Sequence, residues 1–346
     1  MKISQLMGRS TPNPRRKCDL DTDVLRLISA LGVITIHVTN ADTFSGIFMD
    51  GIARFSVPVF VIISGYYMLA QKADGARLAR KCGKLLLQML LWSGVYYGYH
   101  LFRGDFRFTG IRSMLVYLFT EPVHLWYIYA IITLYIFTPV FFVFTEHASQ
   151  REYLYALALT FLLGSPVTIL LRSGWSPTLA VILDKTKVPY LLGMEFLYLL
   201  GGYLRKYGVE RPARWGAVYL LGAVGTVMTV AGTVWLMAAG RDDNLLLSFF
   251  APNVVAAGVM VFVFCKRFFL HHPVRSEKIS AAAHMLAKDT FGIYLLHPLV
   301  ISLTQNIPMP DPSALAIIFN VLLAFTVSAA VVAVLRRIPV LKRLVE

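Results

Sequence analysis

Long apolar stretches separated by short polar ones dominate the pattern along this chain. A helix that crosses about 30 Å of hydrocarbon needs roughly 20 consecutive, mostly apolar residues. A shorter apolar stretch at 111–120 predicts an interfacial helix. The pattern therefore predicts an all-α, polytopic integral membrane protein with about ten transmembrane helices. The ten stretches lie at approximately 24–43, 52–70, 83–102, 122–144, 153–171, 187–204, 214–238, 246–265, 288–306 and 314–335.

The predicted domain organisation is simple because the connecting segments are short. We expect residues 1–23 to form a cytoplasmic N-terminal tail, 24–336 a single transmembrane bundle, and 337–346 a cytoplasmic C-terminal tail. No small-residue cleavage site closes the first stretch, which favours a retained first span over a cleaved leader. The connections leave no room for a soluble catalytic domain, so any chemistry is expected within the bundle.

Composition agrees with a membrane protein and excludes two other classes. Hydrophobic residues make up 57% of the chain and charged residues only 15%, against about 25% charged residues in an average soluble domain. Such a chain is too apolar for a disordered protein or a soluble nucleic-acid-binding protein, so no nucleic-acid partner is expected. Cys18, Cys82 and Cys265 are too few and too scattered for a disulfide framework or a zinc site, and no metal is expected.

The positive charge is distributed unevenly between the two predicted sides of the membrane. The chain carries 33 basic and 19 acidic residues, a net charge of +14. Of the basic residues, 24 fall in the two tails and every second loop, whereas 8 fall on the opposite side. Because loops rich in Lys and Arg stay in the cytoplasm, we expect both termini to be cytoplasmic and the cysteines to be free thiols. Most of the net charge is therefore a signal of orientation.

Two ionisable residues lie within the first predicted span, where an unpaired charge is costly. His37 follows Arg26 by eleven residues. This is three helical turns plus about 20°, so the two side chains share one helix face about 16 Å apart. A snorkelling anchor also explains Arg26, and a hydrogen-bonded structural role also explains His37. The alternative for His37 is a catalytic base, because imidazole titrates near neutral pH.

Other polar side chains in or near the spans are further candidates for a functional site. Glu195 is the deepest acid, and we expect it to pair with an arginine, to orient a histidine, to mark an ion pathway or simply to join helices in a buried ion pair. The aromatic residues near position 126 are typical of an interfacial belt, which says little about the histidine beside them. The candidates for supporting roles are Ser64, His124, Trp126, Tyr129, Glu195, Asn253 and His297.

A compact group of basic residues precedes the third predicted span. Arg77, Arg80, Lys81 and Lys84 fall within eight consecutive positions. Orientation is the ordinary explanation for any basic loop in this chain. A cluster this dense at the membrane edge is also suited to binding lipid head groups or a polyphosphate ligand.

Five strings, in order over the whole chain, resemble the motifs of the membrane acyltransferase-3 family. The size of the chain and its His-Leu-Trp string look most like the branch that O-acetylates enterobacterial common antigen. Lys81 and Lys84 stand where the family commonly has arginines. The strings are Arg26-x10-His37, Ser56-Val-Pro-Val-Phe-Val-Ile-Ile-Ser-Gly-Tyr66, Arg80-Lys81-x-x-Lys84, His124-Leu-Trp-Tyr with Leu134-Tyr135 and Thr138-Pro139, and Thr290-Phe-Gly-Ile-Tyr-Leu-Leu-His297.

The resemblance implies an O-acyltransferase of a bacterial inner membrane. Members of this family move acyl groups, usually acetyl from acetyl-CoA, to hydroxyls of cell-surface glycans or lipid-linked sugars. His37 would correspond to the catalytic histidine and Arg26 to its paired arginine, with His37 acting as general base or transient acyl acceptor. Arg80, Lys81 and Lys84 would bind acyl-CoA, and Ser64, Tyr129 and Asn253 are candidate donors to the oxyanion. Membrane lipids, and a second copy of the chain, are further expected partners.

Two other classes of function fit part of the pattern. A proton-coupled transporter or flippase of an envelope precursor would use glycine-broken helices with Glu195 and His297 inside the membrane. The lack of a clear internal repeat and the spacing of Arg26 and His37 argue against it. A sensor or scaffold, in which the polar residues are purely structural, is the third alternative.

Overall fold

The computed structural model describes residues 19–39, 43–72, 74–105, 107–120, 123–173, 176–186, 194–209, 215–241, 244–304 and 314–345. Every regular element in these ranges is a helix, and a 3-10 turn at Val123–Leu125 precedes the sixth. We number the helices α1 (Leu20–Val38), α2 (Phe44–Ala53), α3 (Ser56–Met68), α4 (Gly75–Arg103), α5 (Ile111–Thr120), α6 (Trp126–His147), α7 (Gln150–Gly164), α8 (Pro166–Ser173), α9 (Pro177–Thr186), α10 (Glu195–Tyr207), α11 (Trp215–Ala238), α12 (Pro252–His271), α13 (Glu277–Thr304), α14 (Ala314–Leu335) and α15 (Lys342–Val345).

Five helical segments among the described residues are long and apolar enough to cross a membrane. The first combines α2 and α3 over Phe44–Met68, and the others are α6, α11, α12 and α14. Large apolar side chains on α11 and α14, such as Leu220, Val227 and Phe319, are exposed, as expected for helices that face lipid. The all-helical, membrane-like character is confirmed, while the number of ten spans and the side of each terminus stay predictions.

Several predicted spans differ from the observed helices in their limits. The stretch predicted at 153–171 is divided at Ser165, where Pro166 begins α8. The stretch predicted at 246–265 begins as turns, and the helix starts only at Pro252. Proline lacks a backbone N–H and is favoured in the first turn of a helix, which explains both starts. Of the stretch predicted at 187–204, residues 187–193 lie outside the described part of the chain.

Helix α1 occupies the centre of the bundle and packs against α2, α3, α12, α13 and α14. Small residues allow the closest approaches, as in other membrane helix pairs. Gly32 of α1 faces Ser56 at the start of α3, and Gly65 of α3 faces the backbone of Tyr198 in α10. The central position of α1 surrounds it with other helices, and its Arg26 and His37 line a cavity between them.

Ion pairs join the helices near the end of the bundle where α1 begins. Lys266 of α12 is buried, and its Nζ lies 3.1 Å from Asp21 Oδ2 and donates to Thr22 Oγ1 at 2.8 Å. Arg336, just after α14, pairs with the buried carboxylate of Asp289 in α13. Each of these buried charges has an opposite partner on another helix or just after one, so neither is left uncompensated inside the protein.

Candidate functional site

A cavity of about 570 Å³ lies between α1, α3, α6 and α13, and we call it the central cavity. It is elongated, since it reaches from Arg26 to His37 along α1 and from Tyr135 to Trp126 along α6. Helical periodicity builds its walls: Val57, Phe60 and Ser64 of α3 are three or four residues apart and face the cavity together. The side chains are mostly apolar, and the polar lining residues are Arg26, His37, Arg54, Ser64, Lys81, His124, Lys288 and Thr290.

Three histidines from distant parts of the chain meet at one end of the central cavity. The ring centroid of His37 lies 5.1 Å from that of His297 and 6.5 Å from that of His124, and the latter two are 6.0 Å apart. The His37 side chain is accessible, whereas His124 and His297 are buried. His37 is therefore the member of this group that a bound molecule can touch.

The two buried histidines are held by neighbours in α13 and α4. His297 Nδ1 lies 2.7 Å from the Tyr294 carbonyl oxygen, to which it donates. Donation from Nδ1 leaves the lone pair of the neutral ring at Nε2. Within the described residues, Nε2 of His297 and Nε2 of His124 have no hydrogen-bond partner. The Tyr96 ring packs at 4.8 Å on His124, so a layer of fixed rings backs His37.

Arg54 lies beside the histidines, in the break between α2 and α3. It makes a double hydrogen bond to Asp50, from Nε to Oδ1 at 2.8 Å and from Nη2 to Oδ2 at 2.6 Å. Its guanidinium carbon lies 5.1 Å from the ring centroid of Phe249. This side-on pairing, which is the geometry that suits guanidinium and carboxylate, fixes the arginine in the wall of the cavity.

The opposite end of the central cavity is cationic. Arg26, Lys81 and Lys288 line it, and no carboxylate is among the described lining residues. Lys81 Nζ lies 4.3 Å from the centroid of the Tyr135 ring, a cation–π contact. Among the described residues no acid pairs with Lys81 or Lys288, which leaves these charges for an anionic ligand.

Arg26 itself is oriented by a buried carboxylate one helical turn earlier in α1. Its Nη1 lies 3.6 Å from Asp23 Oδ1, and the other oxygen of Asp23 lies 2.8 Å from His284 Nδ1. The Tyr67 ring lies 6.0 Å from the guanidinium carbon. The arginine is thus positioned at the mouth of the cavity rather than extended away from the protein.

The structure brings together most of the residues singled out in the sequence. Arg26 and His37 line the same cavity, as the eleven-residue spacing predicts. Lys81, Ser64, His124 and Trp126 line it as well. His297 lies directly behind His37 and is completely buried. These placements are geometric, and the catalytic or binding role of each residue stays a prediction.

The other candidates lie elsewhere. Arg80 and Lys84 are exposed on the outside of α4, and Arg80 Nε donates to the Ala76 carbonyl at 3.3 Å. Tyr129 donates to the carbonyl of Phe119 at 3.0 Å. The Asn253 amide donates to Thr229 Oγ1 at 2.7 Å and to the Leu246 carbonyl at 2.8 Å, so it joins α12 to α11. Glu195 is the first residue of α10, where an acid stabilises the helix dipole. None of these five is among the described residues that line the central cavity.

Three residues of the site escaped the sequence argument. Arg54 counts only toward the charge of one predicted side in the sequence, although its spacing of four from Asp50 is a signal for an ion pair on one helix face. Lys288 counts only as an orientation signal in the sequence, yet it is three residues before Phe291, which also lines the cavity from α13. Tyr294 donates to the His124 carbonyl at 2.6 Å and so connects α13 to the start of α6.

The chemistry available at this site follows from its two ends. The histidine end offers an accessible imidazole that can accept a proton, next to a fixed arginine. The cationic end offers Lys81 and Lys288, for which the described residues provide no acidic partner, beside the Asp23-paired Arg26 as a site for a polyanion. Within the described residues, no group of three or more His, Cys, Asp or Glu side chains is arranged to hold a metal ion. The cavity is therefore suited to a long anionic molecule whose reactive end reaches His37.

A comparison with known proteins gives the family of the chain. A family model described as an acyltransferase domain matches residues 19–335. No curated protein and no solved structure matches the chain. The matched segment begins at the first described residue and includes both ends of the central cavity. The chain is therefore a membrane protein of the acyltransferase-3 family.

Proposed function

We propose that this protein moves an acetyl group from acetyl-CoA to a hydroxyl of a cell-surface glycan or a lipid-linked sugar. The observation that carries the proposal is the central cavity, which has His37 at one end and Arg26, Lys81 and Lys288 at the other. Coenzyme A has the matching shape, since its phosphates are at one end and its thiol is at the end of a long, thin arm.

Acetyl-CoA would bind with its phosphates at the cationic end. Arg26 and His37 are eleven residues apart in α1, about 16 Å along the helix. The pantetheine arm would cover this distance between the apolar walls formed by Val57, Phe60 and Tyr127. The thioester carbonyl would then lie beside His37, where an acceptor hydroxyl can be positioned next to it.

His37 would act as the general base. An alcohol is a poor nucleophile until its proton is removed in the transition state. As the acceptor oxygen bonds to the thioester carbon, the imidazole takes the hydroxyl proton. The C–S bond then breaks, and the departing thiolate takes that proton from the imidazolium, which gives the ester and free coenzyme A. Arg54 is placed to stabilise negative charge on the carbonyl oxygen in this step.

A relay through His37 is the second version of the same mechanism. The imidazole would attack the thioester carbon, release coenzyme A and carry the acetyl group to the acceptor hydroxyl. Both versions need an accessible ring, and both end with the same products. They differ in whether an acetyl group stays on the protein when no acceptor is present.

We further propose a multi-pass protein of the bacterial inner membrane, with about ten spans and both termini in the cytoplasm. The uneven distribution of Lys and Arg supports this orientation. With this orientation the cationic end of the central cavity opens toward cytoplasmic acetyl-CoA, and the histidine end is nearer the outer side. A second copy of the chain stays an expected partner.

The direct test is coenzyme A release coupled to acetylation. The purified protein in lipid nanodiscs is mixed with acetyl-CoA and with the glycans or lipid-linked sugars of a strain that lacks it. We expect release of coenzyme A that depends on the acceptor, and a mass increase of one acetyl group on the acceptor. A transporter or scaffold would release none, so acceptor-independent background release alone would contradict the proposal.

The cationic end gives a sharper prediction for Lys81. Replacing Lys81 by Ala is expected to weaken acetyl-CoA binding by about tenfold, because it removes one charge-assisted contact to phosphate. The effect should shrink at high salt, since added ions screen the charges that remain. Isothermal titration at two salt concentrations measures both quantities.

Arg80 and Lys84 are the matched controls for Lys81. They belong to the same basic group but are not among the residues that line the central cavity, so Arg80→Ala and Lys84→Ala should each have a much smaller effect. Equal losses for all three variants would indicate a diffuse effect of surface charge and not a phosphate site in the cavity.

A further inference from the structure

A second, smaller cavity of about 380 Å³ adjoins the histidine end of the central cavity, and we call it the outer cavity. Arg54, Trp126 and Phe249 line both cavities and form the wall between them. The other described lining residues are Asn244, Leu247, Ser248 and Phe250. We infer that the outer cavity binds a pyranose ring of the acceptor. This inference rests on the proposed function, because it names the site of the second substrate.

The outer cavity lies where three parts of the backbone depart from regular helix. Arg54 occupies the break between α2 and α3, Trp126 begins α6, and residues 244–251 form turns before α12. The turn segment packs directly on α11. Leu246 lies so close to Gly232 of that helix that a Cβ on the glycine would collide with the leucine side chain. Irregular backbone at membrane depth is tolerated only when it is buried in protein or lines a water-filled cavity. These three irregular parts of the backbone together therefore favour a water-filled path from the surface to the histidine end.

The wall between the two cavities presents an aromatic platform. The rings of Trp126 and Phe249 are stacked, with centroids 5.7 Å apart and an angle of 23° between the planes. Both side chains are only half-buried. Aromatic rings offer a large apolar contact area at low cost in conformational entropy. A pyranose has an apolar face of C–H groups, and such a face matches a flat aromatic surface.

Polar groups surround this platform and complete the match to a sugar. Asn244 is exposed at the rim, and Ser248 lies in the wall with its hydroxyl oxygen accepting a weak bond from Phe250 N at 3.4 Å. Arg54 lines this cavity and uses Nε and Nη2 for Asp50, so its Nη1 donors lie outside that pair. A site with apolar faces and a few polar groups at its edge is typical of small polar ligands.

The shared wall explains how two substrates would meet. Acetyl-CoA would fill the central cavity from Lys81 at the cationic end to His37 at the histidine end. A second substrate could then not reach His37 by the same path. The outer cavity reaches the same histidine end from another direction, through residues 244–250. A hydroxyl of a sugar on the platform would then lie next to the thioester carbon, with His37 beside that hydroxyl as the base.

A matched pair of variants at Ser248 tests the inference without altering the central cavity, because Ser248 lines only the outer one. Ser248→Phe fills the outer cavity, whereas Ser248→Ala leaves its volume free. Wild-type and variant proteins in nanodiscs are examined by saturation-transfer NMR with methyl β-D-glucopyranoside, methyl β-D-galactopyranoside and methyl N-acetyl-β-D-glucosaminide. We expect saturation of ring C–H protons in the wild type, weaker but retained saturation in Ser248→Ala, which loses one polar contact, and no saturation in Ser248→Phe.

Phe249→Leu serves as a second variant that does not depend on how well Ser248→Phe folds. Removing one ring of the platform should weaken the glycoside affinity between about threefold and tenfold. Trp235→Ala, which removes an exposed tryptophan on the lipid-facing side of α11, should leave the affinity unchanged. Wild-type protein that gives no signal with any of the glycosides, or an equal signal from Ser248→Phe, would overturn the inference.

Acetyl-CoA binding measured on the same samples separates the two proposals. Loss of glycoside binding with acetyl-CoA binding retained in Ser248→Phe supports an acceptor site in the outer cavity. If the wild type binds no acetyl-CoA, the proposed function fails whatever the glycosides do. If acetyl-CoA binds and the glycosides bind equally to every variant, only the outer-cavity inference fails.

Discussion

Replacing His37 by Ala is expected to lower the rate of acetyl transfer by between about a hundredfold and ten-thousandfold, the usual contribution of a general base. The affinity for acetyl-CoA should change little, because the phosphates would bind at the cationic end, about 16 Å away along α1. The reason is structural: His37 is the accessible ring among three histidines, and the other two are buried behind it. Steady-state rates of coenzyme A release, with a separate titration of acetyl-CoA, measure the two quantities.

A second histidine variant serves as the control for His37→Ala. His271→Ala removes an exposed histidine at the end of α12, outside the central cavity, and should retain the full rate. Incubation with labelled acetyl-CoA without acceptor separates the two versions of the mechanism. A label on wild-type protein that is lost in His37→Ala would indicate the relay, and its absence would favour direct transfer. Full activity of His37→Ala would rule out both.

The sequence predicted those parts of the site that lie within one helix. Arg26 and His37 line the same cavity because the spacing of two residues in α1 fixes their relative direction. The interfacial helix predicted at 111–120 coincides with α5, and the apolar stretch at 314–335 coincides with α14. In each case the information is local, since length and periodicity decide the result.

The parts that depend on contacts between helices could not be predicted in the same way. Periodicity defines the faces of one helix but does not show which faces meet, so Asn253 was a reasonable candidate although its face packs on α11. The meeting of His37 with His124 and His297 required three helices to be assembled. The break at Arg54 is not visible in the hydropathy for another reason: residues 44–68 are apolar on average despite Asp50 and Arg54, and an average does not show where the helix is interrupted.

Replacing Gly65 by Ala is expected to be the most destabilising of these changes, with a loss of about 3 kcal/mol or more in the free energy of unfolding. Helices α3 and α10 touch backbone to backbone here. A Cβ on Gly65 would collide with the Tyr198 carbonyl oxygen, and one on Gly201 would collide with the Ile62 carbonyl oxygen. Backbone atoms within a helix cannot move aside as a flexible side chain can, so the two helices would have to separate.

Separation of α3 from α10 would also disturb the site, because another face of α3 carries Val57, Phe60 and Ser64 into the central cavity. Gly65→Ala should therefore lower the melting temperature and weaken acetyl-CoA binding together, as measured by thermal circular dichroism and titration on the same preparation. Gly94→Ala and Gly98→Ala are matched controls, since a Cβ at either position of α4 meets no atom within 4 Å. Those two changes should be neutral or slightly stabilising, because alanine favours the helix over glycine by about 1 kcal/mol. If Gly65→Ala and the two α4 controls all keep the wild-type melting temperature, α3 and α10 do not meet through this glycine.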